Sequence, residues 1–241
     1  MSYHSALNHT PTRPSNGADL AAIDVGLRQY MLRVYNFMAA GLGLTGVVAY
    51  TSFTTGLYQQ IAGTPLIWVV MLAPLGLVLL LSFRVERMSP GAAHLAFWSY
   101  AGLMGLFLAG IFLVYTGTSI ARAFFIGAAT FAAMSLYGYT TRRDLSQFGS
   151  FLFMGLIGIV LASLVNIFIG SSALLFATSV IGVVVFTGLT AWDTQRIKEI
   201  YLEGDPGDVL AKKALMGALT LYLDFVNLFL MLLQLTGGRR S

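Results

Sequence analysis

Seven long apolar runs, separated by short polar stretches, dominate the chain. They span about 34–57, 65–83, 91–115, 119–139, 148–169, 172–192 and 214–235. Each is close to the roughly 20 helical residues that cross a hydrocarbon core. The runs are continuously apolar and do not alternate over about ten residues, which excludes a transmembrane β-barrel. The pattern predicts an all-α integral membrane protein with seven transmembrane helices. Residues 1–19 read as a mobile tail without the features of a secretory signal, 20–236 as the membrane domain, and 237–241 as a short tail.

Charge adds orientation. Only 10% of the 241 residues are charged and 57% are hydrophobic, with a mean hydropathy of +0.77. The formal net charge of +4 comes from basic residues gathered in alternate loops. Arg13, Arg28 and Arg33 precede the first run, Arg84 and Arg87 follow the second, and Arg142 and Arg143 follow the fourth. Arg196, Lys198, Lys212 and Lys213 follow the sixth, whereas the opposite loops hold only Arg122. The positive-inside rule places the amino terminus in the cytoplasm. No basic face exists to bind nucleic acid. The absence of cysteine excludes disulfides, thiol catalysis and cysteine-held metals. Seven crossings put Arg239 and Arg240 outside, against the rule. The last run, long, free of proline and with its one glycine, Gly217, near its start, favours a full crossing over a re-entrant dip.

Small residues with three positions between them, at Ala39 and Gly43, at Ala101, Gly105 and Ala109, and at Gly158 and Ala162, predict close helix packing. The string Gly41-Leu42-Gly43-Leu44-Thr45-Gly46 matches a dinucleotide fingerprint in letters, but it lies inside an apolar helix without the required preceding strand. The sequon Asn8-His9-Thr10 falls on the tail, where a cytoplasmic position leaves it silent.

Two acids stand apart from the loops. Asp193 closes the sixth run in GLTAWDTQRIK, and Asp224 lies about ten residues into the seventh, in ALTLYLDFVNLFLMLLQL. At about 1.5 Å per residue, Asp224 is near mid-bilayer. A charge there costs about 3 kcal/mol even on the lenient insertion scale, so it should face the protein interior and have a partner. Thr220, Asp224, Asn227 and Gln234 form one polar stripe; Thr187, Thr190 and Asp193 form another. If the stripes face each other, the two carboxyls share a proton and act as a proton switch. That requires a tilt, or a sixth helix that continues past Trp192. The bland alternative pairs Asp193 with Arg196 and leaves Asp224 bonded to a neighbouring helix. Arg84 and Arg87 are candidate partners for the pair, as well as membrane anchors. Glu86 is expected to pair with one of them. His94, Trp68, Trp98 and Trp192 read as interfacial residues.

These last strings are similar to the Bax inhibitor-1 family, the transmembrane Bax inhibitor motif proteins, and look closest to its bacterial branch. The match to its ALxLYLDFxNLFLxLL pattern is the most specific; TRRDLSQFGSFLF and the aromatic-Asp step of the sixth run agree with it. The resemblance implies a central last helix wrapped by the other six, and a bacterial inner-membrane location. It also implies a pH-sensitive calcium leak in which Asp193 and Asp224 form the proton-sensing pair, with Thr190, Thr220 and Asn227 as supporting polar residues. Calcium is then the transported or transiently bound ion, on the same two aspartates. An arginine latch belongs to the end of the second span, where Arg84 and Arg87 flank the expected position. A different reading makes the chain an interaction protein: some bacterial relatives restrain a membrane-bound AAA protease, eukaryotic ones suppress cell death, and 196–213 is the longest charged loop. An intramembrane aspartyl protease is disfavoured, because Leu221-Tyr222-Leu223-Asp224 replaces a GxGD step and no Pro-Ala-Leu turn is present.

Overall fold

A backbone crossing lipid must satisfy its polar groups internally, and in the computed structural model the apolar runs are helical over most of their length. Residues 17–238 and 240 are described, with side chains from Val25 onward. The tail 1–16, with its sequon, and Arg239 lie outside them. Seven helices are long and apolar enough to cross a membrane: α1 (Gly17–Thr54), α3 (Leu66–Arg84), α4 (Pro90–Leu108), α6 (Gly117–Thr140), α7 (Ser146–Ile169), α8 (Ser172–Glu199) and α9 (Gly207–Thr236). Short helices α2 (Leu57–Ala62) and α5 (Ile111–Val114), and a 3₁₀ turn at Val85–Arg87, complete the order.

Local chemistry sets several boundaries. Ser89, Thr116 and Ser171 each accept a hydrogen bond from the backbone N–H three residues on, capping α4, α6 and α8. Gly170 ends α7 in the left-handed region at φ 65°, where glycine carries no Cβ penalty. The Ser146 side chain first, and then its N–H donating at 2.8 Å, hold the exposed Asp144 carboxyl below the usual carboxylate range. The third run is not one helix: it breaks at Ala109–Gly110, between α4 and α5.

Helix α9 is the hub. Its most apolar window is 67% buried, against 11–39% for the other six spans. It packs chiefly against α1, α4, α6 and α8, while α3 docks on α4 and α7 on α8. The ring around α9 therefore has four inner helices and two outer ones. Phe225 of α9 meets Phe124 and Phe131 of α6 edge-on at 5.5 and 5.7 Å. Thr45 of α1 donates to the Ala101 carbonyl of α4 at 2.8 Å. That uses its only proton, so Tyr222 of α9 donates to Thr45 at 2.7 Å. One hydroxyl thus joins three helices inside the former GxGxxG string.

The carboxy-terminal end of α9 is pinned beside the α5–α6 turn. The Gly238 N–H donates to Ser119 Oγ at 3.0 Å, and the Arg240 guanidinium lies over Phe53, near the end of α1, at 5.4 Å. The unbroken 30-residue α9 thus ends at the pole opposite the start of α1, as an odd number of crossings requires.

Only one of the three expected small-residue pairs is a helix contact. Ala101 and Ala109 are fully buried, and a Cβ on Gly105 would come within 2.7 Å of the Thr45 carbonyl. Gly43 and Gly158 face open space, because their faces of α1 and α7 have no helix packed directly on them. The close approaches are elsewhere. A Cβ on Gly138 of α6 would overlap the Ala191 carbonyl of α8, and one on Gly149 of α7 would overlap the Trp192 ring. Trp192 is therefore a packing residue between α7 and α8, whereas Trp68 is 65% exposed, as an interfacial residue should be. His94 packs against Phe37 with its ring tilted, centroids 5.1 Å apart.

Because backbone cannot retreat as a side-chain tip can, Gly138→Ala is expected to destabilise the purified protein by about 1–3 kcal/mol. Gly43→Ala should stay within about 0.5 kcal/mol of the parent. Thermal unfolding in detergent, read by circular dichroism, compares the two.

Candidate functional site

The sixth run ends in hydropathy at Trp192, but its helix does not. Helix α8 continues to Glu199, because Asp193, Thr194, Gln195 and Ile197 are buried against neighbouring helices and Gln195, Arg196, Lys198 and Glu199 are good helix formers. Asp193 thus sits on a continuous helix, six residues before its end. Asp224 lies near the midpoint of α9, whose first two turns precede the seventh apolar run.

The two helices bring these acids together. Asp193 is 8% and Asp224 5% exposed, and their carboxyls lie within hydrogen-bonding reach of one another. Ionised carboxylates only accept, so a hydrogen bond between them requires a proton on one. Among the described residues no donor reaches the buried Asp224 Oδ2. Arg196, one turn beyond Asp193, is the cation whose charge acts on that carboxyl. It makes no ion pair with it: its guanidinium stands over the Trp192 ring at 5.4 Å.

The remaining candidates take other positions. Arg84 and Arg87 are both exposed, and neither forms an ion pair with an aspartate or with Glu86. Among the described residues the ion pair is Lys213 with Asp205. Glu86 contributes its carbonyl instead, which accepts from Lys212 Nζ at 3.0 Å and ties the end of α3 to the start of α9. The polar stripe satisfies itself locally. Thr190 donates to the Phe186 carbonyl, Thr220 to that of Met216 and the Asn227 amide to that of Leu223, at 2.8, 3.1 and 2.8 Å. Gln234 at the far end accepts from Ser179 of α8 at 3.1 Å.

Two polar features beside the pair escaped the sequence reading. Thr194 donates to the Thr190 carbonyl at 2.7 Å, so it accepts from Ser135 of α6 at 3.0 Å, which accepts from Tyr35 of α1 at 2.6 Å. This hydroxyl chain links three helices at the residue next to Asp193. Gln195, 5% exposed, accepts from the Leu145 N–H and donates to the Arg143 carbonyl, both at 2.8 Å. It clamps the α6–α7 connection to α8. Both residues sit in a stretch that reads as a polar loop by hydropathy; the signal was the i, i+4 continuation of the helix through Thr190 and Thr194.

Seven membrane-length helices around a buried carboxyl pair define a polytopic membrane protein with ionisable groups in its interior. Residues 27–241 match the family described as Inhibitor of apoptosis-promoting Bax1, and the chain belongs to this Bax inhibitor-1 family. An uncharacterized protein of Rickettsia prowazekii, RP147, is 53% identical over 90% of this chain and 93% of its own length. The inner membrane protein YbhL of Escherichia coli K12 is 49% identical over 89% of this chain and 94% of its own. An uncharacterized membrane protein of Streptococcus pyogenes is 39% identical, over 89% and 94% respectively.

Replacing Gln195 with leucine keeps volume but leaves the Leu145 N–H and the Arg143 carbonyl without their partner. A loss of about 2–3 kcal/mol is expected, since a lost buried hydrogen bond costs about 1–3 kcal/mol. Thermal unfolding measures the loss, and faster hydrogen exchange at the Leu145 amide localises it.

Proposed function

We propose that this protein is a pH-gated cation pathway with calcium as its cargo, and that Asp193 and Asp224 are its proton sensor and transient cation ligands. The carrying observation is the burial of two carboxyl groups, from adjacent spans, within hydrogen-bonding reach. Bundle packing alone needs neither acid. A buried charge without a partner costs several kcal/mol in practice, and intramembrane acids mark ion and proton routes.

The chemistry follows from competition for the same oxygens. One proton held between the carboxyls removes one of two like charges. Raising the pH withdraws that proton, leaves two negative groups facing each other, and strengthens the demand for a hard cation; lowering it does the reverse. Calcium takes six to eight oxygens, and the pair offers far fewer. The described residues hold no group of three or more His, Cys, Asp or Glu side chains placed to ligate a metal. This composition suits an ion in transit, with water and carbonyls completing its shell. Arg84 or Arg87 would serve as latch by swinging in from the end of α3 to replace the cation.

In this reading the basic loops face the cytoplasm and the protein resides in the inner membrane, as its Escherichia coli relative does. A purely partner-binding role, for example toward an AAA protease, would use the α8–α9 connection. That segment is held down: Lys213 bonds to Asp205 and to the Ile200 carbonyl, and Tyr201 packs on Tyr30 at 5.4 Å.

Reconstituted in liposomes, the protein should pass calcium, with a half-saturating concentration that falls as pH rises. Asp224→Asn should flatten that dependence while the variant still folds by circular dichroism. An unchanged pH profile in Asp224→Asn, measured with an entrapped calcium dye, overturns the di-aspartate mechanism.

A further inference from the structure

Helices α1 and α6 both pack on α9, yet they barely meet each other. Between them runs a crevice made of two apolar cavities of about 560 and 550 Å³. They share Phe131 and follow one another along the same two helices, 28–35 and then 38–47 on α1. On α1 the lining runs from Arg28 through Tyr35 and Gly43 to Val47; on the antiparallel α6 it runs from Tyr139 through Ala132 to Phe124. From Arg28 to Val47 are nineteen helical steps of about 1.5 Å, roughly 28 Å, close to the thickness of a hydrocarbon core. The open space beside Gly43 belongs to this groove. The side-chain hydrogen bond between Tyr35 and Ser135 is the polar link across it.

The two ends differ in charge. At one end Arg28 lines the groove, and Lys198 of α8 donates to the carbonyl of Tyr139 at 2.9 Å, its ammonium 5.7 Å from that residue's ring. Arg142 and Arg143 follow α6 at the same end, with exposed Asp144 and Glu199 as the acids nearby in sequence. At the other end the lining residues are uncharged.

We propose that the α1–α6 crevice is a binding site for one anionic phospholipid, its acyl chain lying along the groove and its phosphate against Arg28. The apolar walls accept any chain of this length. Selectivity for an anionic headgroup comes from the cations at the Arg28 end. The site is separate from the aspartate pair, and its test does not depend on ion flux.

Native mass spectrometry of the full chain, exchanged into micelles doped with phosphatidylglycerol or phosphatidylcholine of identical acyl chains, tests this. The parent should retain one phosphatidylglycerol in preference to phosphatidylcholine. A basic side chain near a membrane surface contributes about 1 kcal/mol, so Arg28→Gln should reduce phosphatidylglycerol retention roughly fivefold. Arg122→Gln, at the other end of α6, should leave it unchanged. Ala132→Trp, which fills the groove, should abolish retention of both lipids. Equal retention of the two lipids by the parent overturns the proposal. So does a phosphatidylglycerol preference that survives Arg28→Gln, or an equal loss in Arg122→Gln. Arg28 is exposed, so its variant keeps the test valid if Ala132→Trp fails to fold.

Discussion

Two carboxyl groups facing one another inside a membrane protein impose a condition on everything around them: something positive must lie between or beside them. Bulk water and salt relieve such contacts at a surface, but Asp193 and Asp224 are both buried. The arrangement of α8 and α9 meets this condition in a particular way. Arg196 is near enough to act on Asp193 but turns to Trp192, and Asp224 Oδ2 has no donor among the described residues. A hydrogen bond between the two carboxyls therefore requires a proton on one of them. No lysine or arginine among the described residues forms an ion pair with either aspartate.

The hub position of α9 gives that contact its reach. In lipid, helices associate through close packing and interhelical hydrogen bonds, because no hydrophobic gain separates one apolar face from another. Each inner neighbour of α9 uses a different one of these means. The link to α1 and α4 runs through Tyr222 and Thr45, that to α6 through edge-on phenylalanines, and that to α8 through the carboxyls. A shift at the carboxyls is consequently felt by a helix that touches all of the inner ring.

Much of this was legible in the sequence. Apolar run length gave the number of spans, and the rarity of intramembrane charge singled out Asp193 and Asp224 before any geometry was known. What was not legible followed from the limits of hydropathy. It marks the end of lipid, not the end of a helix, so α8 beyond Trp192 and α9 before Ala214 were lost, and Thr194 and Gln195 with them. Small-residue spacing identified Gly105 correctly but not Gly43 or Gly158, since spacing says that a face is narrow without saying whether a neighbour occupies it. Arg84 and Arg87 were placed at the right boundary, yet side-chain direction at a helix end is set by tertiary neighbours. Here Lys212, reaching the carbonyls of Glu86 and Met88, is the residue that fastens that boundary to α9.

The backbone contact at Gly138 carries a mechanical consequence. With α6 seated directly on the Ala191 backbone, Trp192 filling the notch at Gly149 and Gln195 clamping the connection between them, α6, α7 and α8 form one body. Helix α4 is seated on α1 in the same manner, through Gly105 and Thr45. Parting Asp193 from Asp224 then means moving three spans at once.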